Sequence, residues 1–186
     1  DVANLQDLLI YTLKGISAYA LEAREAKLPT GGADKFIMEG LFATITNANF
    51  DRERFVALIK EALAVREDVK NALIKAGLTP KAAHDSALWF ADNVEAFEAK
   101  AATVGVLSTE NEDVRSLREL IIYGVKGMAA YAEHAYVLGY ADDAIFAAME
   151  KALVATTNNA LSADELVTQV MECGKFGVDA MALLDK

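Results

Sequence analysis

The segment Asn4 to Ala23, NLQDLLIYTLKGISAYALEA, returns 112 positions later as Ser116 to Ala135, SLRELIIYGVKGMAAYAEHA, with identical residues at half of the positions. A chain that repeats so long a block is constrained to build the same local structure twice. The match continues one residue out of step, pairing Glu39 with Glu150, Thr46-Asn47 with Thr157-Asn158, Phe50 with Leu161, Asp51 with Ser162 and Phe55-Val56 with Leu166-Val167. Solenoid repeats have periods of about 20 to 50 residues, far shorter than this one. The pattern predicts an internal duplication, two similar helical bundles fused in tandem.

Apolar residues within each copy recur every three or four positions, the period of an amphipathic helix. In the first helix, Val2 to Lys27, these are Leu5, Leu8, Leu9, Thr12, Ile16, Tyr19 and Ala20; Leu28-Pro29-Thr30-Gly31-Gly32 then opposes continuation. A second helix is expected over Asp34 to Asn47. A third, Arg52 to Lys75, has Asp51 as N-cap, Phe55, Leu58, Ile59, Ala62, Leu63 and Val69 as its apolar face, and Gly77 as its stop. In the second copy Thr109 with Glu112 reads as a capping box for a helix from Glu110 to Leu138, ended by Gly139. Asp142 or Asp143 starts the next, with Ile145, Phe146, Met149, Ala152 and Leu153 facing inward, and Ser162 with Glu165 caps the last, Ala163 to Leu184. Three helices per copy predict two antiparallel three-helix bundles in an all-α protein.

The organisation expected is a first bundle over 1–76, an interbundle connection over 77–108, and a second bundle over 109–186. In the connection, Thr79-Pro80 suggests a short helix and Asp92 the cap of another reaching Thr103, while Leu88-Trp89-Phe90 is read as a plug between the bundles. The chain has 186 residues, 54% of them hydrophobic, only two prolines, and a formal charge of −10. Such a chain supports a real core. Its acidity argues against nucleic acid, whose phosphates demand clustered Lys and Arg. Lys14, Glu22, Lys60 and Lys126 interrupt every apolar run long enough to approach a membrane span. No secretory signal pattern opens the chain, so the expectation is a cytoplasmic protein bound to neither membrane nor nucleic acid.

Few residues carry chemistry. Cys173 is the one cysteine, unable to form an internal disulfide and read as a buried small hydrophobe. His84 and His134 lack the ligand spacing of a zinc site, and His134 is read as a surface or seam residue bonded to a neighbour. A di-iron bundle is signalled by Glu-x-x-His on two helices, and the chain has no copy of it; Glu39 and Glu150 are the paired glutamates that such a reading would have to use. The motifs Tyr11-Gly15-Tyr19 and Tyr123-Gly127-Tyr131 put three residues on one stripe of each helix. Mid-helix glycine costs about 1 kcal/mol relative to alanine, so each is read as a close helix crossing flanked by covering rings. Lys14 and Lys126, beside those glycines, could pair with carboxylates of the other copy, and exposed pairs of that kind contribute little. Thr46-Asn47 and Thr157-Asn158 read as helix ends. No catalytic, cofactor-binding or metal-ligating residue is therefore assigned.

The blocks VANLQDLLIYTLKGISAYA, ATITNANFD, ENEDVRSLRELIIYGVKGMAAYAEHAYVLG and GKFGVDAMALLDK resemble, in order and spacing, the N-terminal helical domain of the hybrid cluster proteins. That family is also called prismane proteins or hydroxylamine reductases, and the resemblance runs from Val2 to Lys186. It implies a parent iron-sulfur oxidoreductase that reduces hydroxylamine to ammonia, with nitric oxide reduction also associated. It also implies a conventional iron-sulfur cluster on a cysteine segment preceding the first block, and a hybrid iron-sulfur-oxygen cluster in later domains. The chain begins at Asp1 without that segment, so it is expected to carry no cofactor itself.

Three functions follow as expectations. The first is a catalytically silent scaffold domain whose partners are the cluster-bearing domains of the parent. The second is an independent module that dimerises or binds a helix through a freed apolar face. The third is a ferritin-like metal enzyme, disfavoured by its missing ligand motif.

Overall fold

The computed structural model describes residues 2–45 and 50–186. Among them every regular element is helical: α1 (Val2–Glu25), α2 (Gly31–Ala43), α3 (Arg52–Lys75), α4 (Asp85–Leu88), α5 (Val94–Ala101), α6 (Glu112–Val137), α7 (Asp143–Ala155) and α8 (Ala163–Leu184), with a 3₁₀ turn at Val106–Ser108.

Local chemistry sets most boundaries. Asp51 accepts from the backbone N–H of Glu53 and Arg54 at 2.9 and 3.2 Å, opening α3. Gly77 closes it at φ 79°, a conformation glycine adopts without a Cβ penalty, and Gly139 does the same after α6 at φ 91°. Ser162 and Glu165 form the expected reciprocal capping box on α8. Asp142, not Asp143, caps α7.

Elsewhere the structure corrects the sequence reading. α1 stops at Glu25, and Lys27 takes the left-handed turn at φ 56°. α2 starts at Gly31 instead of Asp34, its first turn closed by the Asp34 N–H donating to the Thr30 carbonyl at 3.0 Å. α2 ends at Ala43, and Thr46-Asn47 lies outside the described residues. Asn111, not Thr109, caps α6; the Thr109 hydroxyl and carbonyl instead accept from Arg118 and Arg115. α7 ends at Ala155, where Thr157 donates to the Val154 carbonyl and Asn158 accepts from the Ala160 N–H without entering the left-handed region. Residues 78–83 form no helix at Pro80: the N–H groups of Lys81 and Ala82 bond the Glu22 carboxylate and pin the segment to α1. Asn93, not Asp92, caps α5, which ends at Ala101. Of Leu88-Trp89-Phe90 only Trp89 packs inward, with its ring against Phe97; Leu88 and Phe90 are exposed.

The packing crosses the midpoint of the chain. α1 lies on α2 and α3, and α6 on α7 and α8, while α1 also packs on α7 and α2 on α6. The first helix of each half thus meets the second helix of the other. One hydrophobic cluster runs through both, including Leu8, Leu9, Leu13, Ile37, Leu41, Phe55, Ile121, Met128, Met149 and Leu153. Each such fully buried side chain stabilises the fold by about 1.5–3 kcal/mol. A buried polar seam crosses the same interface: Arg24 lies 2.8 Å from Asp34 and 2.7 Å from Glu150. Burial pushes the Glu150 carboxyl up to about 8, with the neighbouring Asp34 adding to the rise and Arg24 opposing it.

Candidate functional site

Asp7 and Glu119 occupy corresponding positions in the two similar segments, as do Lys14 and Lys126: a carboxylate, then a lysine two turns later on the same helix face. The fold brings all four residues into one region. Lys14 is attracted first by Glu119, and Lys126 first by Asp7, so each lysine faces the other copy's carboxylate. No ion pair within 4.0 Å joins them among the described residues. The pairing considered from the sequence is therefore not formed; the lysines and the carboxylates stand across a gap.

That gap is a polar cleft of about 240 Å³ lined by Asp7, Tyr11, Lys14, His84, Lys100, Arg118 and Glu119 and by the 103–109 and 156–159 loops. Burial dominates its electrostatics. It pulls the half-buried Lys14 ammonium down to about 8, against the attraction of Glu119 and Asp7. It raises the Asp7 and Glu119 carboxyls and lowers Lys126 and His84.

One wall of the cleft is organised by α4. His84 caps that turn through Nδ1, which accepts from the Ser86 N–H at 3.1 Å, and its ring lies 5.8 Å from that of Tyr11. The Tyr11 hydroxyl donates to Asp85, which also takes Lys100 Nζ at 2.5 Å. Burial and this bond raise the Tyr11 hydroxyl strongly, whereas Lys100 and Tyr11 hold the Asp85 carboxyl low. On the opposite wall Arg118 donates only to neutral oxygens: Thr109 Oγ1 at 3.3 Å, the Asn158 carbonyl at 3.2 Å and Asn159 Oδ1 at 2.8 Å. Its Nε is buried without a partner. The arrangement offers positive charge and hydrogen-bond donors to something small. Sequence reasoning singled out the two lysines and weighed His84 only as a zinc ligand; that His84, Lys100 and Arg118 share the cleft follows from chain-distant packing alone.

The other residues singled out by sequence lie apart. Cys173 is buried against Gly124, where an added Cβ would meet its own Cβ at 3.1 Å. His134 is exposed on α6, with Nδ1 2.6 Å from the Ala130 carbonyl and its ring edge-on to Phe42. Glu39 is exposed beside Lys35, while its repeat partner Glu150 is buried in the seam, so the two form no joint site. The glycine motifs part company as well. A Cβ on Gly15 would lie 2.0 Å from the Ser86 carbonyl oxygen, so the close approach is to the turn of α4 and not to a long helix. Nothing lies within 4 Å of a Cβ on Gly127, and Tyr123 is 70% exposed.

Iron-sulfur clusters need thiolates, and the residues here do not fit one. Burial, with Glu172 beside it, pushes the Cys173 thiol up to about 11, the opposite of what a cluster ligand requires. The described residues contain no group of three or more His, Cys, Asp or Glu side chains placed to hold a metal, and no helix among them is long and apolar enough to cross a membrane.

Comparison with known proteins gives the chain its relatives. It is 65% identical over 187 residues to a hydroxylamine reductase of Desulfitobacterium hafniense strain Y51 and 62% identical over 187 residues to one of Clostridium novyi strain NT. Each match covers 100% of this chain and 34% of the relative. A hydroxylamine reductase of Clostridium botulinum strain Langeland is 55% identical over 210 residues, 37% of its length. The chain thus spans about a third of the length of the curated relatives it matches. The Prismane/CO dehydrogenase family model matches residues 1–186, and with helices throughout and this likeness along its whole length the chain belongs to that family.

Proposed function

We propose that this chain is the helical scaffold of a hydroxylamine-reductase-type protein, holding no redox centre of its own, and that the outer face of α6 and α8 receives the rest of that protein. The observation that supports this reading is an apolar stripe turned outward. Leu120, Tyr123 and Tyr131 on α6, with Val167, Met171, Val178 and Met181 on α8, recur at helical spacing and are each at least 40% exposed. Gly127, Gly174 and Gly177 punctuate the same surfaces, with nothing within 4 Å of where their Cβ atoms would be. Contiguous exposed apolar patches mark contact surfaces, and glycine there lets a backbone come close. The residues of the cleft supply no cluster ligand, so reduction of hydroxylamine is assigned to the remainder of the longer protein.

The test compares residues 1–186 with the longer protein containing them. Hydroxylamine reduction is expected only in the longer protein, and amides 120–131 and 167–181 are expected to exchange more slowly there. Turnover by residues 1–186 alone would overturn the silent-scaffold reading. Equal exchange in both would overturn the contact face. Dimerisation of residues 1–186 that persists in the longer protein would favour a self-associating module instead.

A further inference from the structure

We propose that the cleft between Lys14 and Arg118 is a binding site for a small monovalent oxyanion of formate or nitrate size. The site lies wholly within this chain and does not depend on the scaffold reading.

Size comes first. At about 240 Å³ the cleft is below the roughly 300–1,000 Å³ of pockets that take drug-sized ligands, so nucleotides and flavins do not fit. Waters occupying about 30 Å³ each, or a small ion with a few of them, do fit.

Charge narrows the choice. Three cations, Lys14, Lys100 and Arg118, line the cleft against two carboxylates, Asp7 and Glu119. Adding Lys126, which is attracted to Asp7 and Glu119, and Asp85, the partner of Lys100, leaves the same surplus of one positive charge. This surplus sits inside a chain of formal charge −10, which repels anions from most of its surface. A monoanion balances it, whereas a dianion would meet Asp7 and Glu119 uncompensated.

The donors identify what is missing. Lys14 is half-buried, with its ammonium open to the cleft, and makes no hydrogen bond or ion pair among the described residues, although an ammonium carries three donors. Arg118 has neutral acceptors for its two Nη atoms and none for Nε. Cations drawn part-way out of water are ordinarily paired, because burial penalises an uncompensated charge. Here two cations without a contacting carboxylate border the same polar space. Water alone would satisfy the donors but leave the charge unmatched; an oxyanion does both, through charge-assisted hydrogen bonds.

The probe is sodium formate, titrated into the 186-residue chain at constant ionic strength and followed by amide ¹H–¹⁵N shifts. Saturable one-site shifts centred on residues 103–109 and 118 are expected. Lys14→Met should weaken binding by about tenfold or more, and Lys14→Arg should retain most of it. Lys175→Met, on the outer surface of α8, should leave it unchanged. If Lys14→Met does not fold, Arg118→Gln carries the same expectation. Linear shifts without saturation, saturation centred elsewhere, or undiminished affinity in the folded Lys14→Met or Arg118→Gln variant would each overturn the site and leave a cleft that holds only water.

Discussion

The stripe Tyr11-Gly15-Tyr19 on α1 and the stripe Tyr123-Gly127-Tyr131 on α6 have the same motif and opposite surroundings. The first is roofed by α4: Tyr11 donates to Asp85, Tyr19 to the Ala87 carbonyl at 3.3 Å, and Gly15 admits the Ser86 carbonyl. Arg66, fully buried on α3, holds the roof in place by donating to the carbonyls of Ser86 and Trp89 at 2.9 and 2.7 Å. The second stripe has no roof among the described residues. Its neighbour α8 carries Gly177 at the position equivalent to Arg66, and Met171, Val178 and Met181 where α3 has Lys60, Glu67 and Lys70. The anchor and the solvated positions of one half are thus replaced in the other by glycine and apolar side chains. A motif therefore states what a helix can accept, and the neighbouring helix decides what covers it.

The sharpest way to break this comparison is to add the same side chain to both glycines. Gly15→Ala should drive its Cβ into the Ser86 backbone and displace α4, costing about 3 kcal/mol or more in urea unfolding. Gly127→Ala should instead stabilise residues 1–186 by up to about 1 kcal/mol, through helix propensity in open space. Equal losses in both would mean that the second stripe is covered as the first is. Next, Arg66→Met leaves two roof carbonyls without their donor, and a loss of about 2–3 kcal/mol is expected by the same measurement. A loss below about 0.5 kcal/mol would show that the roof stays in place without its anchor.

Glu150 sharpens the comparison by testing the seam that belongs to neither face. Its carboxyl rises from 4.5 to about 8 on folding, so the folded state binds the extra proton. The stability linked to it is fully present below about pH 4.5 and is lost as pH climbs to about 8. Glu150→Gln should flatten that part of the pH profile while leaving the Gly15 and Gly127 effects unchanged. The smallest effect belongs to the bare face: Tyr123→Ser should change stability by less than about 0.5 kcal/mol. It should still lower the binding of an apolar dye to residues 1–186, and unchanged dye signal would remove Tyr123 from the contact face.

Legibility in the sequence followed the range of the interaction that sets each feature. The limits of α3 and α8 were readable because Asp51, Gly77 and Ser162-Glu165 act within four residues of the ends they fix. The start of α6 was misread because Thr109 offered a plausible cap while Asn111, two residues on, supplied the real one. α4 was missed: it is one turn long, and a histidine caps it. Arg66 carries no local signal, because the carbonyls it serves belong to Ser86 and Trp89, 20 and 23 positions away. For the cleft, the sequence offers only that Lys14 and Lys126 could pair with carboxylates of the other copy at an exposed surface. That these charges stand around an open space depends on how α1 and α6 are spaced, which periodicity does not encode.

The seam also sets a timetable. Arg24 and Glu150 are separated by 126 positions. At about 5–20 residues per second of synthesis, roughly 6–25 s pass between the appearance of the guanidinium and that of its carboxylate. During that interval α1 has α2 and α3 to rest on but not α7, so part of its apolar surface waits uncovered for a helix still to be made. A cell that slows translation between residues 24 and 150 lengthens this exposure without altering a single contact in the finished protein.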